Sequence, residues 1–301
     1  VETASREIFD VAVIGCGPAG LSAAVNAKIR NKTVVIYGGE FCSPKMYASP
    51  QINNYLGFPA ITGKELRENF LEHVRQMGLF VTQARVDGVF PEGDIFNIMI
   101  KNEFFPARSV IIATGVTHAK YLPGEQELLG SGVGYCATCD GPLYKGKDIA
   151  IIGYTREGEE EANFLAEICR TVYYLPLHQE RGHLDERIRV VGGKPKAISG
   201  EDHVTHLVTT EGKLPVSAVF LIREVTPVQE LVPGLALADN VITVNRNMET
   251  NIPGIYAAGD CTGAPYQLAK AAGEGQVAAL GAVRYLDSLR ADKEPVGTRR
   301  S

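Results

Sequence analysis

The sequence predicts an α/β protein of two domains, each built around a strand–turn–helix unit. The chain has 301 residues, enough to bury one large or two medium cores. Its composition, 45% hydrophobic and 22% charged with 32 glycines, suits many tight βα turns. A short apolar run near the N-terminus leads directly into a glycine-rich turn and a helical pattern, and a degenerate copy of that unit recurs mid-chain.

The first unit opens at residues 8–14, an almost wholly apolar run of the kind a buried parallel strand requires. Gly15-Cys16-Gly17-Pro18-Ala19-Gly20 follows, and then a helical pattern to Asn31. In a Gly-x-Gly-x-x-Gly turn the first glycine makes the bend, the second admits a pyrophosphate, and the third lets helix and strand pack closely. The helix N-terminus then faces the phosphates, so this unit is expected to bind a dinucleotide. Thr33–Tyr37 is the next strand. Glu40 follows it as the nearest acid for an adenosine ribose, or as a solvated loop carboxylate.

Residues 41–60 carry no periodicity and predict a long ordered loop containing Asn53-Asn54-Tyr55-Leu56-Gly57. Gly63–Met77 predicts an amphipathic helix. Phe80–Val86, Gly88–Phe90 and Ile95–Ile100 read as antiparallel strands, and Ser109–Ala113 as a buried one closed by Thr114-Gly115. The copy of the first unit begins at Lys147–Gly153. There Thr155 stands where the second glycine belongs, and Glu157, Glu159, Glu160 and Glu161 fill the first helical turns. Acids suit a helix N-terminus. They also oppose phosphates, since a screened like-charge pair at about 5 Å costs on the order of 1–3 kcal/mol. Pro176-Leu177-His178-Gln179-Glu180-Arg181 ends the next strand with one arginine, a poor clamp for a 2′-phosphate. The second unit is therefore expected to keep its fold and lose a nicotinamide nucleotide. Residues 187–222 alternate like a small strand-rich sheet, Asn251–Asp260 is a short strand ending in an acid, and a helix follows.

Between the two units lies Gly134-Tyr135-Cys136-Ala137-Thr138-Cys139-Asp140-Gly141-Pro142. Two cysteines two residues apart at the start of a helical turn can close a small disulfide ring, and a helix N-terminus favours a thiolate. Asp140 stands ready to move the proton that dithiol–disulfide exchange requires. Zinc would need a second pair, but Cys16, Cys42, Cys169 and Cys261 are isolated in sequence and no Cys-x-x-His occurs. The stretch reads as a redox dithiol, with no metal. His118 reads as structural rather than catalytic, and His203 and His206, three apart in a strand-like segment, are a poor metal site.

Six cysteines are too sparse for a disulfide scaffold. A net charge of −5 argues against nucleic acid as a partner. No apolar run approaches a membrane span, and no basic segment followed by an apolar core opens the sequence, so a cytoplasmic protein is expected.

Together, Gly15–Gly20, Ala113-Thr114-Gly115, Cys136-Ala137-Thr138-Cys139-Asp140 and Tyr256-Ala257-Ala258-Gly259-Asp260 resemble the low-molecular-weight thioredoxin reductases. The resemblance implies two nested three-layer, Rossmann-like nucleotide-binding domains. A discontinuous FAD domain (1–117 and 243–289) would enclose an inserted dithiol domain (118–242). Residues 290–301, charged and containing Pro295 and Gly297, read from composition as a flexible tail. The resemblance implies FAD contacts from Gly15, Gly17, Pro18, Ala19, Gly20, Glu40, Asn54, Ala113, Thr114, Gly115, Gly259, Asp260 and Gln267. It further implies that Cys139 faces the flavin, that Cys136 attacks thioredoxin, that Asp140 is the acid–base residue, and that the protein is a homodimer. Where the second fingerprint fails, the chain is most similar to the ferredoxin-dependent flavin thioredoxin reductases, which use no pyridine nucleotide. That similarity implies a ferredoxin or similar one-electron carrier as donor and no tightly bound NADPH. Lys45, Arg181, Arg187, Arg189, Lys293, Arg299 and Arg300 are the candidates for a basic docking patch. An NADPH-dependent reductase with an atypical site, and a non-catalytic redox-sensing or scaffolding flavoprotein, are the alternatives.

Overall fold

The structure is a computed structural model that describes residues 7–39, 42–115, 121–178, 182–223 and 228–291, with the backbone alone at 45, 139, 229 and 291. The chain divides into two compact units. Unit 1 comprises residues 1–100, 104–117 and 227–301, and unit 2 comprises 101–103 and 118–226.

Unit 1 begins with β1 (Phe9–Ile14), α1 (Pro18–Ile29), β2 (Val34–Gly38), α2 (Pro44–Tyr47), α3 (Gly63–Gln76), β3 (Val81–Gln83), β4 (Gly88–Glu92), β5 (Ile95–Ile100) and β6 (Glu103–Ile112). Unit 2 supplies β7 (Val133–Gly134), α4 (Ala137–Asp140), β8 (Asp148–Gly153), α5 (Glu157–Ile168), β9 (Thr171–Pro176), β10 (Ile188–Val190), β11 (Pro195–Gly200), β12 (Val204–Thr209), β13 (Gly212–Pro215) and β14 (Ala218–Ile222). The chain returns to unit 1 with α6 (Val228–Leu231), β15 (Leu237–Ala238), β16 (Val241–Ile242), β17 (Ile255–Ala257) and α7 (Leu268–Ala291).

In unit 1 the strand order is β3-β2-β1-β6-β5-β4, with β17 also paired to β6. The strands from β3 through β6, and β17, run parallel. Here β3 departs from the sequence expectation, since it extends the parallel sheet beside β2 instead of joining the antiparallel pair β4–β5. α1 is rich in small residues because it is sandwiched: Ala19, Ala23, Ala24 and Ala27 are buried in one cluster with Val11 and Val13 of β1 and Ala278 and Ala282 of α7. α3 starts at a capping box, in which Thr62 Oγ1 accepts from the Glu65 N–H at 3.2 Å and Glu65 Oε2 accepts from the Thr62 N–H at 3.1 Å.

The return to unit 1 comes at residue 227, earlier than the 243 expected from sequence. Val228, Leu231, Val232 and Ile242 share a core with Ala12, Ile14, Val110 and Ile112, so their burial assigns the segment. At the other end α7 runs to Ala291, and the expected tail beyond it lies outside the described residues.

A disulfide joins Cys16, just past β1, to Cys42, in the loop after β2, with their Cα atoms 5.0 Å apart. Isolated in sequence, the two cysteines are partners in the fold. Adjacent parallel strands of a βαβ unit deliver their ends side by side: Ile14 is level with Tyr37, so Cys16 comes level with Gly39. Cys169 and Cys261 are free, and burial pushes their thiols up to about 11 and about 12.

Unit 2 is a helix–sheet–sheet sandwich. Its parallel sheet runs β10-β9-β8-β14-β7, and β11–β13 form a separate antiparallel sheet. β8 is buried on both faces: Ile149 and Ile151 pack with Leu165 and Ala162 of α5, while Ala150 and Ile152 pack with Ile198 and Leu207 of the small sheet. Only 195–215 of the expected strand-rich segment forms that small sheet, because 188–190 and 218–222 complete the parallel one.

Unit 2 also holds a buried ion pair. Arg223 reaches Glu125 through two bonds, 2.5 and 2.9 Å, and Glu125 is 0% exposed. The rings of Tyr154, Tyr135 and Tyr121 face the guanidinium at 5.2, 5.7 and 6.0 Å. Burial alone would lower the pKa of Arg223, but the hydrogen bonds and charge of Glu125 outweigh it and hold the group charged.

Two stability predictions follow from these contacts. Arg223→Met is expected to cost about 3–5 kcal/mol in urea unfolding by stranding the Glu125 carboxylate, with most of that regained in the Arg223→Met/Glu125→Leu double variant. Cys42→Ser should lose up to about 3 kcal/mol under non-reducing conditions, as expected for opening a loop of this length. Unfolding curves identical to wild type in either case would count against the corresponding contact.

Candidate functional site

Unit 1 holds the first candidate site at the carboxyl ends of its parallel strands. Gly15 adopts φ +116°, and a Cβ there would stand 2.1 Å from the carbonyl oxygen of Ala113. At Gly20 a Cβ would stand 1.9 Å from the Gly15 oxygen. These two glycines are required by the protein's own packing. Gly17 differs: its nearest neighbour to an added Cβ is the Ser43 Cβ at 3.9 Å, so the space over it is open. Pro18 occupies the first turn of α1, Ala19 is buried against α7, and the helix N–H groups point out past Gly17.

Ala113-Thr114-Gly115 closes β6 beside this turn, with the Ala113 N–H donating to the Ile14 carbonyl at 2.7 Å. Thr114 Oγ1 is buried and has no hydrogen-bond partner among the described residues. Gly259 and Asp260 lie at the other lip, where a Cβ on Gly259 would meet the Ala19 Cβ at 2.8 Å. α7 holds that turn: Lys270 Nζ donates to the Gly259 carbonyl at 2.9 Å, and the Gly259 N–H donates to Glu274 at 2.9 Å. Gln267 immediately precedes α7 and accepts from Asn54 Nδ2 at 3.0 Å, so the structure joins two site residues 213 positions apart. Glu40 lies outside the described residues. An open glycine, free helix N–H groups and an orphaned buried hydroxyl fit a diphosphate-bearing cofactor such as FAD.

Sequence reasoning missed three supports of this cradle: Lys270, Glu274 and the Cys16–Cys42 bridge. The Cys42 loop is braced further by Arg67, whose Nε donates to the Cys42 carbonyl at 3.1 Å.

The second candidate site is the cysteine turn of unit 2. Cys136 is disulfide-bonded and 9% exposed, and its Sγ lies 3.4 Å from Thr138 Oγ1. α4 places Cys139 one turn on from Cys136, and the Asp140 N–H donates to the Cys136 carbonyl at 3.3 Å. Asp140 is exposed as a residue, but its carboxyl is tucked against Gly134, where an added Cβ would be 3.1 Å from Oδ2. That burial raises its pKa above the usual carboxylate value. Asn102 Nδ2 donates to the Thr138 carbonyl at 3.0 Å, and Lys101 pairs with Glu160 at 2.9 Å.

The degenerate fingerprint keeps two of its three glycines. A Cβ on Gly158 would lie 2.9 Å from the Gly153 Cα, so helix and strand still meet closely there. Thr155 replaces the second, and its Oγ1 is buried without a partner among the described residues. The acids of α5 differ in their surroundings. Glu159 and Glu161 are buried, Glu159 accepting from the Gly182 N–H at 2.7 Å and Glu161 from the Ala137 N–H. Past β9, His178 shares a 2.8 Å hydrogen bond with Tyr174.

Of the candidate basic patch, Arg187 is held by Asp185 at 2.7 Å and Arg189 lies over the Tyr173 ring at 6.0 Å. The Lys45 side chain, Arg181, Lys293, Arg299 and Arg300 lie outside the described residues, as does His118. His206 bonds its neighbour Thr205 at 3.0 Å, and no group of three metal-ligating side chains gathers among the described residues. No described helix is long and apolar enough to cross a membrane.

Comparison with known proteins places this arrangement. The model of the pyridine nucleotide-disulphide oxidoreductases matches residues 9–275. Thioredoxin reductase from Listeria monocytogenes is 28% identical over 96% of this chain and 97% of its own. The bifunctional thioredoxin reductase/thioredoxin of Mycobacterium leprae is 34% identical over 94% of this chain and 67% of its own. Among solved structures, a ferredoxin-flavin thioredoxin reductase from Clostridium acetobutylicum is 48% identical over 94% of this chain and 99% of its own, with a TM-score of 0.91. A second crystal structure of such a reductase from that organism gives 49% identity, 95% and 100% coverage, and a TM-score of 0.82. Membership of this group implies FAD as cofactor. Matched along nearly its whole length, the chain belongs to the pyridine nucleotide-disulphide oxidoreductases and, within them, to the low-molecular-weight thioredoxin reductase family.

Proposed function

We propose that this protein reduces thioredoxin through a Cys136–Cys139 redox pair, using bound FAD and electrons from reduced ferredoxin or a similar one-electron carrier in place of NADPH. The observation that carries this is the Cys136 disulfide in the Cys-Ala-Thr-Cys turn, with the Asp140 carboxyl held close to that turn by its own helix. When bound, FAD supplies the means to accept electrons singly and pass them on in pairs. Gly15–Gly20 with the α1 N-terminus would hold its pyrophosphate, Thr114 would give its hydroxyl a partner, and Asp260, Asn54 and Gln267 would line the remainder. Glu40 is proposed for the ribose.

Cys136 would attack the thioredoxin disulfide, and Cys139 would resolve the mixed disulfide and release reduced thioredoxin. Asp140 would hold a proton for the departing thiolate, a role suited to a carboxyl whose pKa is raised by burial. The energetics are favourable. Thioredoxin near about −270 mV and a low-potential ferredoxin near about −400 mV leave roughly 6 kcal/mol for a two-electron transfer.

Three features support a donor other than NADPH. Thr155 occupies the glycine position that a pyrophosphate needs, the Tyr154 ring is engaged over Arg223, and His178 is bonded to Tyr174 in the segment where a 2′-phosphate clamp would be sought. Likeness to the C. acetobutylicum ferredoxin-flavin enzymes supports the same choice. The protein is further proposed to act in the cytoplasm as a homodimer, like others of its kind.

Under anaerobic conditions, excess NADPH or NADH should leave the flavin oxidised, whereas reduced ferredoxin should bleach it and sustain thioredoxin reduction. That turnover should fall steeply with salt if charge steers the donor. Rapid bleaching by NADPH would establish the nicotinamide-dependent alternative. Photoreduced protein that reduces no thioredoxin would point to a non-catalytic flavoprotein.

Asp140→Asn should slow thioredoxin reduction by about 10²-fold or more. Because the folded state raises the Asp140 pKa, its stabilising proton is lost as pH rises through that value. Asp140→Asn should therefore gain thermal stability over wild type at pH 7 and lose that advantage below about pH 4. An equal advantage at both pH values would refute the assignment.

A further inference from the structure

The cysteine turn is held from outside its own helix. Ala137 opens α4, and its N–H has no acceptor within so short a segment. It donates instead to the carboxylate of Glu161, on α5. Glu161 is 4% exposed and Ala137 0%. Glu161 also falls beyond the first turn of α5, where Glu157, Glu159 and Glu160 lie, so the α5 dipole does not explain its place. A carboxylate has been buried one residue from Cys136, and burying one requires a compensating interaction.

The Ala137 N–H contributes one such interaction, with a consequence for the sulfur. The oxidised pair is neutral, whereas the reduced pair carries thiolate character that nearby N–H groups and positive charge stabilise. A strongly stabilised reduced form makes a disulfide an oxidant, and a poorly stabilised one makes the dithiol a reductant. Glu161 acts in the second direction twice. It occupies a donor that could otherwise face a thiolate, and its negative charge opposes the thiolate directly. Among the described residues, the other charged groups around the turn include Asp140 on α4, and Glu157, Glu160 and Lys101. The charge of Lys101 is directed first to exposed Glu160, and Glu157 and Glu161 act on it more weakly.

We propose that Glu161 is a positioning residue that keeps the Cys136–Cys139 pair strongly reducing, by bracing its turn with a negative charge. This rests on the reading of that pair as the redox centre. The couple is two electrons with one proton above the thiolate pKa and two below it: the disulfide takes two electrons and one proton to give a thiolate and a thiol, the thiolate takes the second proton at lower pH, and Glu161 itself is neither oxidised nor reduced.

The test equilibrates holoenzyme in graded reduced and oxidised dithiothreitol, quenches with acid, alkylates, and counts thiols by mass. Glu161→Gln retains an oxygen to accept the Ala137 N–H but loses the charge. Its equilibrium constant should move about tenfold toward the dithiol, which for a two-electron couple is about 30 mV. A merely structural brace would lower the thermal midpoint of this variant without moving the equilibrium. A constant within twofold of wild type overturns the proposal. Should Glu161→Gln fail to yield folded holoenzyme, Lys101→Met decides, since it removes the exposed cation that offsets these acids. A shift of twofold or more toward the disulfide supports the proposal, and no shift overturns it. A wild-type holoenzyme whose pair titrates normally yet reduces no thioredoxin would overturn the proposed function instead. If the wild type shows no two-thiol titration, the redox centre and the role of Glu161 fall together.

Discussion

Where Gly20 lies against the carbonyl of Gly15, a methyl group would stand 1.9 Å from the oxygen. Unit 1 is assembled around that missing methyl. It brings α1 onto β1, and the small face of α1 in turn admits α7, where a Cβ on Gly275 would stand 2.0 Å from the Ala19 oxygen. α7 then fixes the Gly259 turn through Lys270 and Glu274. A cradle drawn from the first 20 residues, from residues near 114 and from residues near 260 is thus set by backbone contact, which tolerates little displacement.

Unit 2 repeats the device and shows which of its parts belong to the fold. Gly153 and Gly158 still meet closely, while the middle position is Thr155. The packing glycines are retained and the ligand-facing one is not. Beside them, polar groups are turned inward and paired: Glu125 with Arg223, Glu159 with Gly182, Tyr174 with His178.

Local signals in the sequence were the easiest to read. The two strand–turn–helix units, α3 and the cysteine turn each announce themselves within about a dozen residues, and each is found where the spacing puts it. Harder were features that depend on what a segment meets. β3 is too short and too exposed to reveal its partner, and it turned out parallel to β2. The return to unit 1 is decided by where Val228 and Leu231 are buried, and no periodicity records that. Acids at the start of α5 look alike in sequence, yet one pairs with Lys101 in solvent and another braces the cysteine turn. Cys16 and Cys42 could have been paired from sequence, since each follows one of two consecutive strands that the first fingerprint places side by side.

That bridge changes how electrons are counted in this protein. Among the described side chains Cys169 and Cys261 are the free cysteines, Cys261 buried and Cys169 half-buried, and both have raised pKa values. A reductive titration of the folded protein therefore has more than the flavin and the cysteine turn to fill. Two further electrons enter if the Cys16–Cys42 bond opens. Their uptake would divide a closed loop running from the first glycine turn through α1 and β2, so full reduction and an intact cradle are competing conditions.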